Sequence, residues 1–249
     1  MKFIKMGLPV ALVALSGSAS AALVNLSGWT AEGGASNWTV AADKNSVFQS
    51  VNGSPAVFFS GSNDQGKALS GKIRVETTSD DDYIGFVLGY NSGEATAAAT
   101  DFILIDWKQT NQSFYGCQGL AGLAISRVSA GLPDSAVTWC HSGSITELAR
   151  ATTLGSTGWA DNTEYAFDLV FTATNIQVKV NGVTELNVDG TFGDGSFGFY
   201  NYSQQSVRYS ALQEDIVPDP DNTVPEPSSL ALLGFGLFAA AGLRKRSQR

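Results

Sequence analysis

The sequence predicts an all-β domain that folds as a sandwich or a barrel. Apolar residues alternate with polar ones at a period of two in segment after segment, which is the spacing of a half-buried strand. Between the two ends of the chain, no window longer than ten residues repeats its apolar residues at the period of a helix. Many short strands with short turns, in a chain of 249 residues, are typical of these two architectures.

Six rows of alternating residues mark the predicted strands. In chain order they are Ile73, Val75 and Thr77; Ile84, Phe86, Leu88 and Tyr90; Ile103, Ile105 and Trp107; Phe167, Leu169 and Phe171; Ile176, Val178 and Val180; and Phe197 with Phe199. Asn181-Gly182 predicts a hairpin turn, because both residues accept a positive φ. Asp189-Gly190 and Asp194-Gly195 indicate further turns.

The first 21 residues have the features of a secretory signal peptide. Lys2 and Lys5 carry positive charge, and residues 7–15 are apolar. Ala19 and Ala21 are the small residues that signal cleavage requires. A short buried helix is the alternative interpretation. Export would place the rest of the chain in an oxidising environment.

The last 25 residues, 225–249, form a tail with three parts. These parts are Pro225-Glu226-Pro227, an uncharged apolar run over residues 230–243, and the basic cluster Arg244-Lys245-Arg246. As a helix, the run would reach about 21 Å, which is short of the roughly 30 Å hydrocarbon core of a bilayer. The basic cluster would stay in the cytoplasm, with everything upstream outside. An ordinary C-terminal membrane anchor is the alternative.

This tail closely resembles the PEP-CTERM sorting signal. The resemblance implies recognition by an exosortase, a membrane enzyme of Gram-negative bacteria, and removal of the tail near the Pro-Glu-Pro motif. It also implies a genome rich in exopolysaccharide genes. We therefore expect a precursor that is held briefly in the inner membrane by a C-terminal sorting helix. The mature protein is expected outside the cell or on its outer surface.

The exported part of the chain is strongly acidic. Residues 22–224 contain nine Lys or Arg and 22 Asp or Glu, which gives a net formal charge of −13. Nothing basic clusters outside the two ends, which argues against a nucleic-acid binder. One His and two Cys are too few for a zinc site of the Cys/His type. Such a charge repels polyanions and attracts divalent cations, although solubility explains it equally well.

One domain is expected over residues 22–213, followed by an acidic, Pro-rich linker over 214–224 that cannot build a core. Cys117 and Cys140 lie within this domain. In an exported chain, a disulfide between them is the default expectation, and two free buried thiols are the alternative. By the chain-entropy argument, the crosslink would contribute about 3 kcal/mol.

Several segments resemble the C-terminal domain of thrombospondins in order and spacing, over about residues 25–213. They include Asp80-Asp81-Asp82-Tyr83-Ile84-Gly85-Phe86, Phe102-Ile103-Leu104-Ile105-Asp106-Trp107, Trp139-Cys140-His141-Ser142-Gly143, Gly158-Trp159, Gly195-Ser196-Phe197-Gly198-Phe199-Tyr200 and Ser206-Val207-Arg208-Tyr209. The resemblance implies a concanavalin A-like, legume-lectin-like β-sandwich (a jelly roll). It also implies bound calcium and a non-enzymatic role in extracellular matrix contacts and cell adhesion.

Two departures from the thrombospondin pattern limit what the resemblance carries over. The calcium-rich repeats that precede this domain in animal thrombospondins are absent from the sequence, and no Cys follows Leu212. We therefore carry over the fold and a calcium site, but not the receptor functions of the animal proteins.

Asp80, Asp81 and Asp82 form the densest charge in the chain. Adjacent carboxylates repel one another unless water or a cation neutralises them. A loop with several oxygen donors suits calcium, which takes roughly six to eight of them. The expectation is a calcium site that Asp101 and Asp106 help to complete. A solvated turn between strands is the alternative.

Three further features have a functional and a structural interpretation. Trp107 is interpreted as a core residue, rather than a platform for a sugar ring, because it shares a face with two apolar residues of its strand. His141 is interpreted as a loop histidine hydrogen-bonded to backbone, since no Gly-x-Ser-x-Gly nucleophile motif accompanies it. The glycoside hydrolase pattern Glu-x-Asp-x-Glu is absent, although paired carboxylates from distant strands remain an alternative.

Together these features predict a secreted, non-catalytic matrix or adhesion protein that is sorted by an exosortase and associated with exopolysaccharide. A lectin-like carbohydrate-binding module with a defined sugar site is the second hypothesis. A glycan-active enzyme is the third.

Overall fold

The computed structural model describes residues 21–217. The predicted signal peptide up to residue 20 and the predicted sorting tail, including Pro225-Glu226-Pro227 and Arg244-Lys245-Arg246, lie outside the described residues. Within residues 21–217, no helix is long and apolar enough to cross a membrane.

The described chain is built almost entirely from strands. In chain order they are β1 (Ala22–Leu23), β2 (Thr30–Gly33), β3 (Trp38–Val40), β4 (Val47–Gln49), β5 (Ala56–Phe59), β6 (Lys67–Val75), β7 (Tyr83–Tyr90), β8 (Phe102–Lys108), β9 (Gln112–Phe114), β10 (Cys117–Gly119), β11 (Gly122–Val128), β12 (Ile145–Arg150), β13 (Glu164–Phe171), β14 (Asn175–Val180), β15 (Val183–Asp189), β16 (Ser196–Tyr202) and β17 (Val207–Ile216). One turn of 3₁₀ helix at Leu26–Gly28 and the short helix α1 (Ala136–Trp139) are the helical elements of this region. The all-β prediction is confirmed.

Two antiparallel sheets pack face to face. The first sheet has the order β15-β14-β13-β6-β17-β4-β3, with β1 added beside β17. The second sheet has the order β12-β11-β8-β7-β16-β5-β2, and β9 and β10 form a separate hairpin. This arrangement is a β-sandwich, so the predicted fold class is confirmed.

The core between the sheets is formed by the predicted alternating rows, except for Thr77 and Tyr90. Tyr90 was predicted on the face of Phe86, but it packs on the opposite face of the second sheet, because Gly89 has a φ of 72° and breaks the alternation before it. Phe86 of β7 meets Phe167 of β13 across the sheets, with ring centroids 4.5 Å apart. Trp107 is buried in the same core, and its indole N–H donates to the Thr157 carbonyl at 2.8 Å. Thr77 lies beyond the end of its predicted strand, because β6 stops at Val75.

The opposite face of the second sheet is covered by connecting segments. Tyr83, Tyr200 and Tyr202 on this face pack with Trp139 of α1 and with Ala95 from the β7–β8 connection. The predicted disulfide between Cys117 and Cys140 is present, and it joins β10 to the residue that follows α1. The layer that covers this face, called here the covering layer (residues 91–101 and 129–144), is therefore crosslinked to the β9–β10 hairpin.

The last strand continues to Ile216, past the expected end of the domain at residue 213. Glu214 pairs with Ala22 of β1, and its carboxylate lies 3.0 Å from the Lys67 ammonium. Residues 214–216 therefore belong to the first sheet and not to the linker. The sequence did not reveal this because no side chain over residues 213–216 is buried, so the strand shows no apolar alternation there.

Candidate functional site

The acidic run lies in the loop between β6 and β7. Carboxylate oxygens of Asp80, Asp81 and Asp82 lie within 4.8 Å of one another. Beyond the end of β6 at Val75, the Thr77 hydroxyl accepts a hydrogen bond from the backbone N–H of Ser79, which stabilises a turn in the loop before the acidic run. Asp82 is buried, whereas the other two carboxylates are half-buried.

A buried lysine lies beneath the acidic run. Lys108 is the last residue of β8, its side chain is fully buried, and its ammonium contacts the Asp82 carboxylate. The ammonium also donates to Gln112 Oε1 at 3.0 Å and lies 4.6 Å from the Trp139 ring centroid. Burial raises the pKa of Asp82 more than Lys108 lowers it. Because both side chains are buried and in contact, Asp82 serves mainly as the partner of the Lys108 ammonium.

Polar groups from neighbouring loops converge on the acidic run. The Asn52 amide donates to Asp80, the Thr110 hydroxyl donates to Asp81, and the backbone N–H of Asp82 donates to Gln204 Oε1 at 2.9 Å. Burial, followed by the charge of Asp82, raises the pKa of Asp80 to about 6. The Lys108 ammonium contacts Asp82 and lies 3.9 Å from the Asp81 carboxylate, so one cation faces three carboxylates and the run keeps a net negative charge.

Asp101 and Asp106 do not join the acidic run, so the expected ligand set is corrected to Asp80, Asp81 and Asp82. Asp101 precedes β8, and seven residues of strand extend over roughly 20 Å, which places it at the far end from Lys108. Its carboxylate is engaged by Arg127 at 2.6 and 2.7 Å. Asp106 is buried and bonds His141 instead.

His141 contacts a carboxylate rather than the backbone partner that was expected. Its Nε2 lies 2.8 Å from Oδ2 of Asp106. Burial acts to lower the pKa of His141, but the charge of Asp106 and the hydrogen bond outweigh it, so the pKa is raised. The neighbouring Cys140 is held in the disulfide and offers no free thiol. The geometry is that of a structural ion pair.

A cavity of about 550 Å³ lies beside the covering layer. It was not predicted from the sequence. Small residues line much of it, and they are Gly33, Gly34, Ala95, Ala97, Ala130 and Gly131. Asp134 contributes a carboxylate to its wall, together with Ser54. No motif marks these positions, and their one sequence signal is the Ala-rich run over residues 95–99, which lacks any strand or helix period.

Two known families match the chain. The thrombospondin C-terminal region matches residues 34–216, and the PEP-CTERM protein-sorting motif matches residues 223–246. Thrombospondin-3 of Homo sapiens is 27% identical over 205 residues, covering 74% of this chain and 21% of that protein. Thrombospondin-2 of Gallus gallus is 26% identical over 196 residues, covering 71% of this chain and 16% of that protein. The chain spans about a fifth of the length of the curated relatives it matches.

Solved structures share the fold at low sequence identity. The carbohydrate binding module CBM66 from Bacillus subtilis has a TM-score of 0.53 at 9% identity, covering 77% of this chain and 97% of that one. The potassium-bound carbohydrate recognition domain of Emp46p has a TM-score of 0.50 at 10% identity, covering 77% of this chain and 94% of that one. Both likenesses identify a lectin-type β-sandwich, in agreement with the expected concanavalin A-like fold.

Proposed function

Because the chain belongs to the thrombospondin C-terminal region family and carries a PEP-CTERM sorting motif, we propose that it is an exported, non-catalytic matrix or adhesion protein associated with exopolysaccharide. One observation carries this proposal. A lectin-type β-sandwich over residues 34–216 is followed directly by a sorting motif over residues 223–246. The chain therefore combines a fold that is suited to binding with a motif that directs export from the cytoplasm.

Several acidic side chains are already bound to other groups of the protein, which supports a non-catalytic role. A retaining glycosidase needs two carboxylates about 5–5.5 Å apart on the face that holds the substrate. Asp106 is bound to His141, and Asp101 is bound to Arg127. The buried Glu185 accepts hydrogen bonds from the backbone N–H groups of Thr153 and Leu154. These carboxylates therefore stabilise the folded structure through contacts within the domain.

We propose that the acidic run holds calcium, as the family resemblance implies. The donor set fits this ion, because carboxylate oxygens of three residues gather in one loop and together carry more negative charge than the single Lys108 ammonium offsets. Asp80 and Asp81 would be the main ligands, whereas Asp82 already neutralises Lys108. A divalent cation at this place would offset the repulsion between the carboxylates and order the β6–β7 loop.

The sorting motif supports a defined route. We propose that an exosortase in the inner membrane of a Gram-negative cell recognises the tail and cuts near Pro225-Glu226-Pro227. The domain is then released or attached outside the cell, where exopolysaccharide is the available partner. Contact with the membrane is transient and confined to the tail.

The proposal is tested by expressing the full chain in a Gram-negative host that makes exopolysaccharide and contains an exosortase. The exported protein should be recovered with the washed polysaccharide fraction. In the control, a secreted reporter replaces residues 22–217 between the same signal and tail, and it should appear in the free medium. Equal partition of the two proteins would contradict the binding role. Release of reducing sugars from polysaccharide by the purified protein would contradict the non-catalytic role.

A further inference from the structure

We propose that the cavity beside the covering layer binds a neutral hexose unit of a polysaccharide, with Asp134 accepting sugar hydroxyls and Tyr115 presenting its aromatic ring. This inference rests on the proposed function, since it names the ligand class and the site of an exported binding protein.

Three hydroxyl groups fix the position of the Asp134 carboxylate. Ser54 donates to Oδ2 at 2.7 Å, and Tyr115 and Tyr202 each donate to Oδ1 at 2.7 Å. These donors come from the β4–β5 loop, the β9–β10 hairpin and β16, so the carboxylate is held from three directions. Asp134 is nevertheless exposed, and Oδ2 has one protein donor, which leaves it able to accept a hydroxyl from a ligand.

The same hydrogen bonds keep Asp134 charged. Partial burial acts to raise the pKa of Asp134, but the hydroxyls of Tyr115, Ser54 and Tyr202 outweigh it and lower the pKa. An ionised carboxylate is a stronger acceptor for neutral hydroxyl donors than a protonated one. A sugar hydroxyl is such a donor.

Tyr115 adopts a backbone conformation that does not suit an aromatic residue. Tyr115 and Gly116 have φ values of 51° and 76°, and they form the two-residue turn that joins Phe114 to Cys117. Positive φ at both positions is the signature of a type I′ turn, for which Asn-Gly is the preferred pair. A tyrosine at the first position is strained, because side chains other than Asn and Asp disfavour this backbone conformation.

The neighbouring structure holds Tyr115 in this conformation. The disulfide fixes Cys117 at the base of the hairpin, and the Tyr115 hydroxyl bonds Asp134. The Tyr115 side chain remains 42% exposed. Tyr115 does not itself line the cavity, but its hydroxyl bond to Asp134 places it next to that wall residue. The Phe114 ring packs against the Tyr115 ring with centroids 4.2 Å apart, which supports the ring beside the charged acceptor. An aromatic face and a hydrogen-bond acceptor match the apolar C–H face and the hydroxyl groups of a hexose ring.

The cavity wall is suited to an uncharged ligand. Its volume falls within the range of ligand pockets, roughly 300–1,000 Å³. Among the residues that line it in the described chain, none is Lys or Arg. Asp134 and the strongly acidic domain would repel an anionic sugar. The ligand class is therefore a neutral hexose polymer and not a uronate.

The close approach of backbone segments shapes one end of the cavity. An added Cβ at Gly33 would meet the Pro55 carbonyl oxygen at 2.4 Å, and one at Gly131 would meet the Ala95 carbonyl oxygen at 2.5 Å. Substitutions at these glycines would disturb folding, so they are unsuitable as tests. Tyr115 and Asp134 are exposed or half-exposed, and they offer changes that separate binding from folding.

The test is affinity electrophoresis and calorimetry of the exported protein with dextran, galactomannan and laminarin as neutral probes and alginate as the anionic probe. The wild-type protein should bind at least one neutral probe and should not bind alginate. Tyr115→Asn should weaken binding by about tenfold, a change that corresponds to the loss of one good contact. Because Asn-Gly is the preferred pair in this turn, the same variant should melt no lower than the wild type. Loss of binding with retained stability is the expected signature.

Three further variants sharpen the test. Asp134→Asn should weaken binding, and Asp189→Asn, which changes an exposed carboxylate in β15 of the other sheet, should leave binding unchanged. Tyr115→Phe keeps the ring and removes its hydrogen bond, so its affinity should fall between those of the wild type and Tyr115→Asn.

The outcomes separate this inference from the proposed function. Wild-type affinity in both Tyr115→Asn and Asp134→Asn would overturn the inference and leave the proposed function intact. Binding to alginate alone, or to no neutral probe by a protein that still partitions with exopolysaccharide, would also overturn it. Failure to partition with exopolysaccharide would overturn the proposed function itself.

Discussion

Nε2 of His141 lies 2.8 Å from Oδ2 of Asp106, and both side chains are nearly sealed from solvent on the covered face of the second sheet. Asp106 belongs to β8, and His141 follows the disulfide residue Cys140 in the covering layer. The ion pair therefore links the covering layer to the second sheet. It lies one residue away from Cys140, where the disulfide links the same layer to the β9–β10 hairpin.

This contact should make stability depend on pH. The pKa of His141 is raised, so its stabilisation is complete below the unfolded pKa of 6.5 and is lost as pH rises through the higher folded value. His141→Asn suits the local φ of 48° and removes the contact. At mildly acidic pH, the free energy of unfolding in urea should be about 2 kcal/mol higher for the wild type than for His141→Asn. This difference should become smaller under alkaline conditions. A difference that does not change with pH would contradict this role.

Lys108→Met should be strongly destabilising. It leaves the buried Asp82 carboxylate without its cation, which typically costs about 3–5 kcal/mol. Adding Asp82→Asn should recover part of that loss. The matched control is Lys72→Met, whose ammonium pairs with Glu164 at the surface and should contribute less than about 1 kcal/mol. Denaturant unfolding of the four proteins measures these differences, and equal losses in the two lysine variants would argue against a buried pair.

Removal of the disulfide should lower the free energy of unfolding. The double variant Cys117→Ser, Cys140→Ser removes a crosslink between residues that are 23 positions apart in sequence. The chain-entropy argument predicts that the free energy of unfolding falls by about 3 kcal/mol. Denaturant unfolding measures the loss. In the wild type, alkylation should label both cysteines only after reduction. Full labelling of the unreduced, denatured protein would refute the crosslink.

Calcium should stabilise the domain if the acidic run binds it. A ligand at about a hundredfold excess over its Kd raises the free energy of unfolding by about 2.7 kcal/mol. The melting temperatures measured with calcium and with chelator should therefore differ by several degrees. Asp80→Asn with Asp81→Asn should abolish the difference, whereas Asp101→Asn should retain it. Superimposable wild-type curves, with no metal found by elemental analysis, would eliminate the calcium site.

Alanine substitution of Pro225-Glu226-Pro227 should leave an uncleaved precursor in the membrane fraction. Proline fixes φ and lacks an amide donor, so we expect alanine at these positions to remove the backbone restriction that the processing enzyme recognises. Asn substitution of Asp219 and Asp221 is the control and should not affect processing. Mass spectrometry of the exported wild-type protein should find no peptides from residues 230–249. Their persistence would show that the tail is an ordinary anchor.

Alternation revealed the strands but not everything that packs on them. In β14, Ile176, Val178 and Val180 are buried and the residues between them are half-buried, so the period of two is plain. In β7 every residue is buried, because the covering layer fills the face opposite the core. That layer has no period of its own, so no sequence pattern predicted where it would lie.

Contacts between distant residues could not be predicted from local pattern. The acidic run was visible in the sequence, but its cation Lys108 is 26 residues from Asp82 and nothing marks a single lysine at a strand end. Tyr115 and Asp134 are 19 residues apart, and they meet because a turn and a disulfide fold the hairpin toward α1. Asp101 and Asp106 were expected to reach the acidic run from a facing strand region, but the seven-residue strand β8 carries Asp101 to its far end, and Asp106 bonds His141 instead.

The position of β17 affects how an exported chain reaches its native state. β17 lies between β6 and β4 in the first sheet, and it also pairs with β1, yet it is the last strand of the described residues in chain order. If the chain crosses the membrane N-terminus first, as its proposed signal peptide implies, the sheet cannot close until residue 216 has emerged on the far side. β3 and β4 would then stay separated from β6, and the domain would complete folding only when the segment next to the sorting motif arrives.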